Sequence, residues 1–201
     1  MARNKETNKI MRSTMKLRLI DAAVDLISEK GYFAVSPKDI TSHACVSSGI
    51  FYHYFKNKKA LVSIFINEIG ITLAEHLDRF FTSKGDFEHQ CRQGFNALFD
   101  FIEPNYKYFK IFIMEYNNLE LKSLFDSMLH EKLIPDSNRR LLKQGEDGSV
   151  RKDIDRDIMS HVILFASIEA IRLHILDGIE KNKIIDNMVK LLVSGLATQN
   201  T

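Results

Sequence analysis

The chain of 201 residues has little of what builds stapled, many-turned or membrane-spanning proteins. Two cysteines, Cys45 and Cys91, cannot make a disulfide framework, and no C-x-x-C pair is present to hold zinc. Three prolines and nine glycines are too few for a collagen-like, linker-rich or all-β design. Tryptophan is absent, and no long run is purely apolar. The most apolar stretch, Ile158 to Leu176, is interrupted by Ser160, His161, Glu169, Arg172 and His174. A membrane-crossing helix rarely tolerates that many polar groups. The first nine residues are polar and lack the apolar core of a secretory signal. With 45% hydrophobic and 27% charged residues, the composition is also too balanced for global disorder. The expectation is a folded, mostly helical, cytoplasmic protein with no membrane partner.

Catalytic and metal-binding signatures are equally sparse. The sequence holds no G-x-S-x-G, no phosphate-cradling Walker loop and no dinucleotide fingerprint. Asp153, Asp155 and Asp157 have the spacing that opens a calcium loop, but Ile158 and Leu164 stand where Gly and Glu are required. An acidic helix start fits them better, because carboxylates complement the helix dipole there. His43-x-Cys45 and His89-x-Cys91 each offer two ligands without a second pair. No catalytic residue, cofactor or metal site is expected, and the chain does not read as an enzyme.

What is present begins with an uneven charge. Residues 1–60 carry 11 Lys and Arg against 5 Asp and Glu, whereas residues 61–201 carry 17 against 21. A basic head on an acidic body suits a polyanion-binding module on a non-binding one. Residues 1–14 read as a flexible basic arm, 15–57 as the head and 58–201 as the body.

Within the head, Ile20, Ala23, Val24 and Ile27 fall at helical spacing over 15–30, and Gly31 follows where a helix ends with positive φ. Ser36-Pro37-Lys38-Asp39 combines a cap, a first-turn proline and an S-x-x-D box, which starts a short helix over 37–44. Ser47 can cap a third helix over 48–55. Two short helices joined across 43–46 make a helix-turn-helix. On the third helix Phe51 and Phe55, with the preceding Val46, form an inward stripe, leaving Ser48, Gly49, Ile50, Tyr52 and His53 outward. Asn57 caps a long fourth helix over 58–82, with Leu61, Phe65, Ile69 and Leu73 on one side. Further helices are expected at 86–103, 105–115, 117–133, 155–178 and 181–197. The fold class is all-α, a three-helix helix-turn-helix domain followed by a larger helical domain.

The linked set Asp21-Ala-Ala23, Glu29-Lys-Gly-Tyr32, Asp39-Ile40, Val46-Ser47, Gly49, Tyr52-His-Tyr-Phe55 and Lys58 resembles the tetracycline-repressor (TetR) family of bacterial transcriptional regulators. The resemblance covers roughly Leu19 to Leu61. It implies that Lys38, Ser48, Gly49 and Ile50 face bases or groove walls. Ser36, Tyr52, His53, Tyr54 and Lys58 would hold phosphates, with Ser47 at the edge of this face. Ile50 stands where the family often has threonine, and Cys45 where a turn glycine is usual. If Cys45 takes positive φ, it costs about 1 kcal/mol relative to Gly. The other reading of Tyr52, His53 and Tyr54 is ordinary aromatic packing in a small helical domain.

For the body, the resemblance implies a ligand cavity and a dimer formed by the last two long helices. Ten of the fourteen Phe lie between residues 65 and 125. Candidate cavity residues are Phe65, Ile69, Phe95, Phe99, Phe109, Phe112, Phe125 and Phe165, though Phe-rich helices often simply fill a core. Glu169 and Arg172 are either a mutual ion pair or polar anchors for a ligand. Candidate dimer residues are Val162, Ala166, Ala170, Leu173, Ile185, Met188, Val189, Leu192 and Leu196. The implied function is a homodimeric, ligand-responsive regulator, a repressor released from a palindromic DNA operator by a small apolar effector. The alternative is a helical small-molecule-binding or enzymatic protein whose basic head is incidental.

Overall fold

A computed structural model gives the structure of the protein and describes residues 2–80, 86–135, 137 and 151–196. Among these residues the regular elements are helical. The first helix, α1, spans Ala2–Lys30. Its buried face carries Leu19, Ile20, Ala23, Val24 and Ile27. Gly31, at φ +82°, ends it by donating its N–H to the Ile27 carbonyl at 2.9 Å. From Ala2 onward the backbone of the segment expected as an arm is helical and continuous with α1. No proline or glycine occurs between Ala2 and Lys30 to stop it.

The short α2, Pro37–His43, starts as its local sequence dictates. The Asp39 N–H donates to the Ser36 hydroxyl at 3.2 Å, and the Ser36 N–H donates to the Asp39 carboxylate at 2.8 Å. Donation to the Asp39 carboxylate from the Ser36 hydroxyl, and then from the Ser36 N–H, holds that carboxyl below its usual range. The turn that follows is closed by Val46 N–H on the Thr41 carbonyl at 2.9 Å and by an Arg18 guanidinium on the Ala44 carbonyl at 2.6 Å. Cys45 lies in this turn at φ +53°, so the left-handed conformation usual for glycine is taken by a residue with a side chain. Cys45→Gly is therefore expected to stabilise the protein by about 1 kcal/mol in a denaturant titration. The third helix, α3, spans Ser48–Tyr54. Ser47 occupies its cap position with extended backbone, but its side chain makes no cap hydrogen bond.

The fourth helix, α4, spans Lys58–Phe80 and runs from head into body. Asn57 caps it, accepting the Ala60 N–H at 2.8 Å. Leu61, Phe65 and Leu73 are buried, as the stripe predicts. Gly70 is needed for close packing: a Cβ there would lie 2.7 Å from Met128 Cγ. The body continues with α5, Phe87–Ile102, a 3-10 turn over Glu103–Asn105, and α6, Tyr106–Glu115. The helix expected over 117–133 is divided. Asn118 turns the chain, accepting the Glu120 N–H at 3.0 Å, so α7 begins only at Lys122 and ends at Ser127. A π-helical stretch, Met128–Leu133, follows. Asp155 caps α8, Arg156–Ile175, by accepting the Ile158 N–H at 3.0 Å. That helix stops short of the expected 178, where Gly178 reverses the chain at φ +68°. The last helix, α9, spans Lys181–Leu196 and is held to α5 by Arg92 on Asp186 at 2.5 Å.

Candidate nucleic-acid interface and ligand cavity

Helix α3 divides its residues between two sides. Phe51 is wholly buried and Phe55 nearly so, while Val46 packs partly against the same core. The Phe51 and Phe55 rings meet at 5.6 Å between centroids, and this aromatic side of α3 is locked into the core. Opposite them, Ser47, Ser48, Gly49, Tyr52 and His53 are exposed, with Ser36 and Lys38 of the α2 start also exposed. Tyr52 is 66% exposed. Tyr52 is thus not sealed in the core, although its edge does touch Phe51 at 5.4 Å. A Cβ added to Gly49 would meet nothing within 4 Å, so no contact inside the chain demands glycine there.

Three expected contact residues are placed differently. Ile50 is half-buried against the core, because seven residues of α3 leave its flank covered by neighbouring side chains. Tyr54 likewise turns partly inward, its ring 4.9 Å from His53 and 6.4 Å from Phe55. Lys58 differs most. Its ammonium donates to the carbonyls of Tyr32 and, at 2.6 Å, Val35, and lies 3.9 Å from the Tyr32 ring centroid. Burial lowers its pKa against the pull of Glu120, Glu115 and Asp39. Two of its three N–H groups are thus committed inside the chain, and Lys58 holds the connection from α1 to α2 rather than standing free. The Ser36 hydroxyl is also committed, donating to Asp39 at 2.5 Å. The exposed Lys56, just after α3, adds a charge that the expected set omitted. The basic run Lys56-x-Lys58-Lys59 was its signal.

In the body, α4, α5, α6, the π-helical stretch and α8 surround an apolar cavity of about 100 Å³, measured as space open to the centre of a water molecule. About 10–15 Å³ so measured suffices for one water, so this space admits a small molecule. Phe65, Ile69, Phe95, Phe109, Phe112 and Phe125 line it as expected. Phe99 does not; it is fully buried elsewhere, edge-on to His174 at 5.3 Å. Phe165 lies on the outer face of α8, 40% exposed. Glu169 and Arg172 are an exposed ion pair at 2.8 Å, shared with Asp177 at 3.0 Å, which leaves no anchor role in the cavity. The inner face of α8 instead supplies Ile163, Leu164, Ile168 and Ile171, and the π-helical stretch Met128, Leu129 and Leu133. Ser167 also lines the space, with its hydroxyl already donated to the Ile163 carbonyl at 2.7 Å. Tyr108 completes the wall, and burial raises the pKa of its phenol, helped by Asp21, Glu68 and Asp25.

Residues 19–63, from the middle of α1 to the first turn of α4, match the family model described as bacterial regulatory proteins, tetR family. The match covers the head of the chain, which is of the TetR type. The curated relatives that the chain matches are transcriptional regulators and not enzymes. It is similar to the Transposon Tn10 TetC protein of Escherichia coli, 40% identical over 80 residues that cover 40% of this chain and 36% of that protein. It is also 26% identical to the HTH-type transcriptional regulator YvkB of Bacillus subtilis, over 93% of this chain and 99% of that one. Its fold is that of the Bacillus subtilis regulator FadR solved in complex with stearoyl-CoA. That structure matches with a TM-score of 0.77 and 21% identity, covering 89% of this chain and 98% of FadR. The helix-turn-helix head and helical body thus recur together in one chain of similar length.

Proposed function

We propose that the chain is a homodimeric repressor that binds a palindromic operator in the cytoplasm and is released when a small apolar molecule fills the body cavity. The observation that carries the reading is the two-sided α3. Its aromatic side is locked into the core, while Lys38, Ser47, Ser48, Gly49, Tyr52 and His53 form one exposed face on the basic head. A recognition helix needs such a face to enter the major groove while its partner helices hold it. Lys38, Ser48 and Gly49 are assigned to bases and groove walls, and Tyr52 and His53 to phosphates. Ser36, Ser47, Ile50, Tyr54 and Lys58 then support that face from its edge. Gly49 supports the assignment, since glycine in a helix is unfavourable and nothing inside the chain requires it. Gly49→Ala is expected to stabilise the fold by about 0.5–1 kcal/mol while weakening DNA binding, as read by thermal melting and by titration of a duplex.

A second copy of the chain is the proposed occupant of the outer face of α8 and α9. Ile158 and Val162 are 64% and 62% exposed, Phe165 and Leu176 lie on the same side, and Leu191 of α9 is 69% exposed. The first three recur at i, i+4 and i+7, the spacing of a helix–helix seam. Of the expected dimer residues, Val162 fits this face, and Ala166, Leu173 and Met188 are half-buried beside it. Ala170, Ile185 and Val189 are buried within the protomer, and Leu192 lines the cavity, because the chain's own helices cover those sides. The side chain of Leu196 lies outside the described residues. By length and composition α8 also passes for a helix that could cross a membrane, and only 28% of its apolar window is buried in the protomer. A twofold partner accounts for that exposed side and sets two heads on one face of a duplex.

Stearoyl-CoA in the FadR complex supports an effector with a long apolar part, and the aromatic lining found here suits one. Decanol and stearoyl-CoA are the probes for a test on a duplex selected from a random pool. A probe that raises the melting temperature should lower duplex affinity, and the duplex should lower probe affinity by the same factor. A probe that fills the cavity and leaves duplex affinity unchanged refutes ligand release.

A further inference from the structure

The head is joined to the body by more than the continuous α4. The connection from α1 to α2 passes between the start of α4 and the tip of α6, and each grips it with charged groups. From the α4 side, the Lys58 ammonium holds the carbonyls of Tyr32 and Val35. From the body side, the buried Glu115, last residue of α6, accepts the Tyr32 N–H at 2.7 Å across 83 residues of sequence. Glu120, in the turn after α6, accepts the Tyr32 hydroxyl at 2.5 Å. Asn118 steadies the Glu115 carboxylate and the Glu120 backbone. Its amide donates to Glu115 at 2.7 Å and its side-chain oxygen accepts the Glu120 N–H at 3.0 Å. The fit is close, because a Cβ on Gly31 would come within 3.3 Å of the Glu115 carboxylate.

The same turn touches the cavity. Tyr116, the residue after Glu115, lies 5.6 Å from Phe112 and 6.2 Å from Phe125 between ring centroids, and both of those rings line the cavity. A second tie runs alongside, with Lys107 of α6 on Asp25 of α1 at 2.7 Å.

We infer that Glu115 and Glu120 are positioning residues that clamp Tyr32 and set the angle of the DNA-reading head on the body. This rests on the proposed twofold operator binding. Charge-assisted hydrogen bonds are strong and directional, and those to Tyr32 fix a point at the edge of the head that α4 alone leaves free to pivot. In a twofold assembly the angle of each head sets the distance between the two α3 helices. The clamp therefore controls which half-site spacing is read, beyond which bases are read. Because the clamp abuts Tyr116, a change at the cavity wall reaches the head through α6 as well as through α4.

The test uses the full-length protein and palindromic duplexes selected on the unaltered chain, then re-spaced by one base pair in either direction. The unaltered chain is expected to prefer one spacing. Glu120→Ala, at an exposed position, and Glu115→Ala should each lose about five- to tenfold in affinity for that spacing and little for the others, flattening the preference. Glu115→Gln keeps an acceptor for the Tyr32 N–H and should restore the preference. Helical content by circular dichroism separates this from unfolding, which would lower affinity for every spacing alike. A spacing preference that persists in both alanine variants, or affinity lost equally at all spacings by folded protein, overturns the clamp. No preference for any duplex in the unaltered chain overturns the operator reading itself.

Discussion

Phe51→Ala is expected to unfold the head, at a cost of about 3–5 kcal/mol in a urea titration. The ring is fully buried in the core of the head, with Phe55 and Tyr52 against it, so truncation leaves a cavity that its neighbours close only in part. Tyr52→Ala, one residue along, removes a side chain that is two-thirds exposed and should change stability by less than about 0.5 kcal/mol. Its effect falls on DNA instead. Loss of a phosphate contact should weaken binding to every sequence by about tenfold, with sequence preference retained. The two neighbours thus separate the structural side of α3 from the recognising side. Equal stability losses from both would mean that the exposed face described here is packed in solution.

The second large effect concerns the outer face of α8. Ile158→Asp combined with Val162→Asp places two carboxylates on a surface proposed to meet its own symmetry mate. Neither side chain is needed by the protomer core, since each is more than 60% exposed. Melting temperature should therefore change little at concentrations where the unaltered chain is already monomeric. At higher concentration sedimentation should show a monomer in place of a dimer. Affinity for a two-half-site duplex should fall by more than about 100-fold, because the second half-site is no longer engaged at high effective concentration. A dimer that survives both substitutions would place the interface elsewhere.

How much of this was legible beforehand follows from the range over which each feature is determined. The capping box of Ser36 and Asp39 and the Asn57 cap involve residues three apart, and the sequence pattern predicts both. The stripe of Phe51 and Phe55 was equally local. Lys58 was misplaced because the carbonyls that hold it belong to Tyr32 and Val35, which the fold brings to it from 26 and 23 residues away. The Tyr32 grip on Glu115 spans 83 residues and leaves no periodic trace. Phe165 and Ala170 were exchanged between inside and outside for another reason. Helix α8 is apolar around most of its circumference, so spacing cannot tell the cavity side from the exposed side. The division of the 117–133 segment had no Pro or Gly to announce it; the Asn118 side chain makes that turn.

The central claim is that the exposed face of α3, carried in pairs, reads duplex DNA. The most direct measurement is a titration of the full-length protein with a selected palindromic duplex and with a scrambled one of equal length, at several salt concentrations. The account predicts that the palindrome binds below about 1 μM, that its affinity falls steeply as salt rises, and that the scrambled duplex binds far more weakly. Equal and weak affinity for the two duplexes at every salt concentration would contradict it.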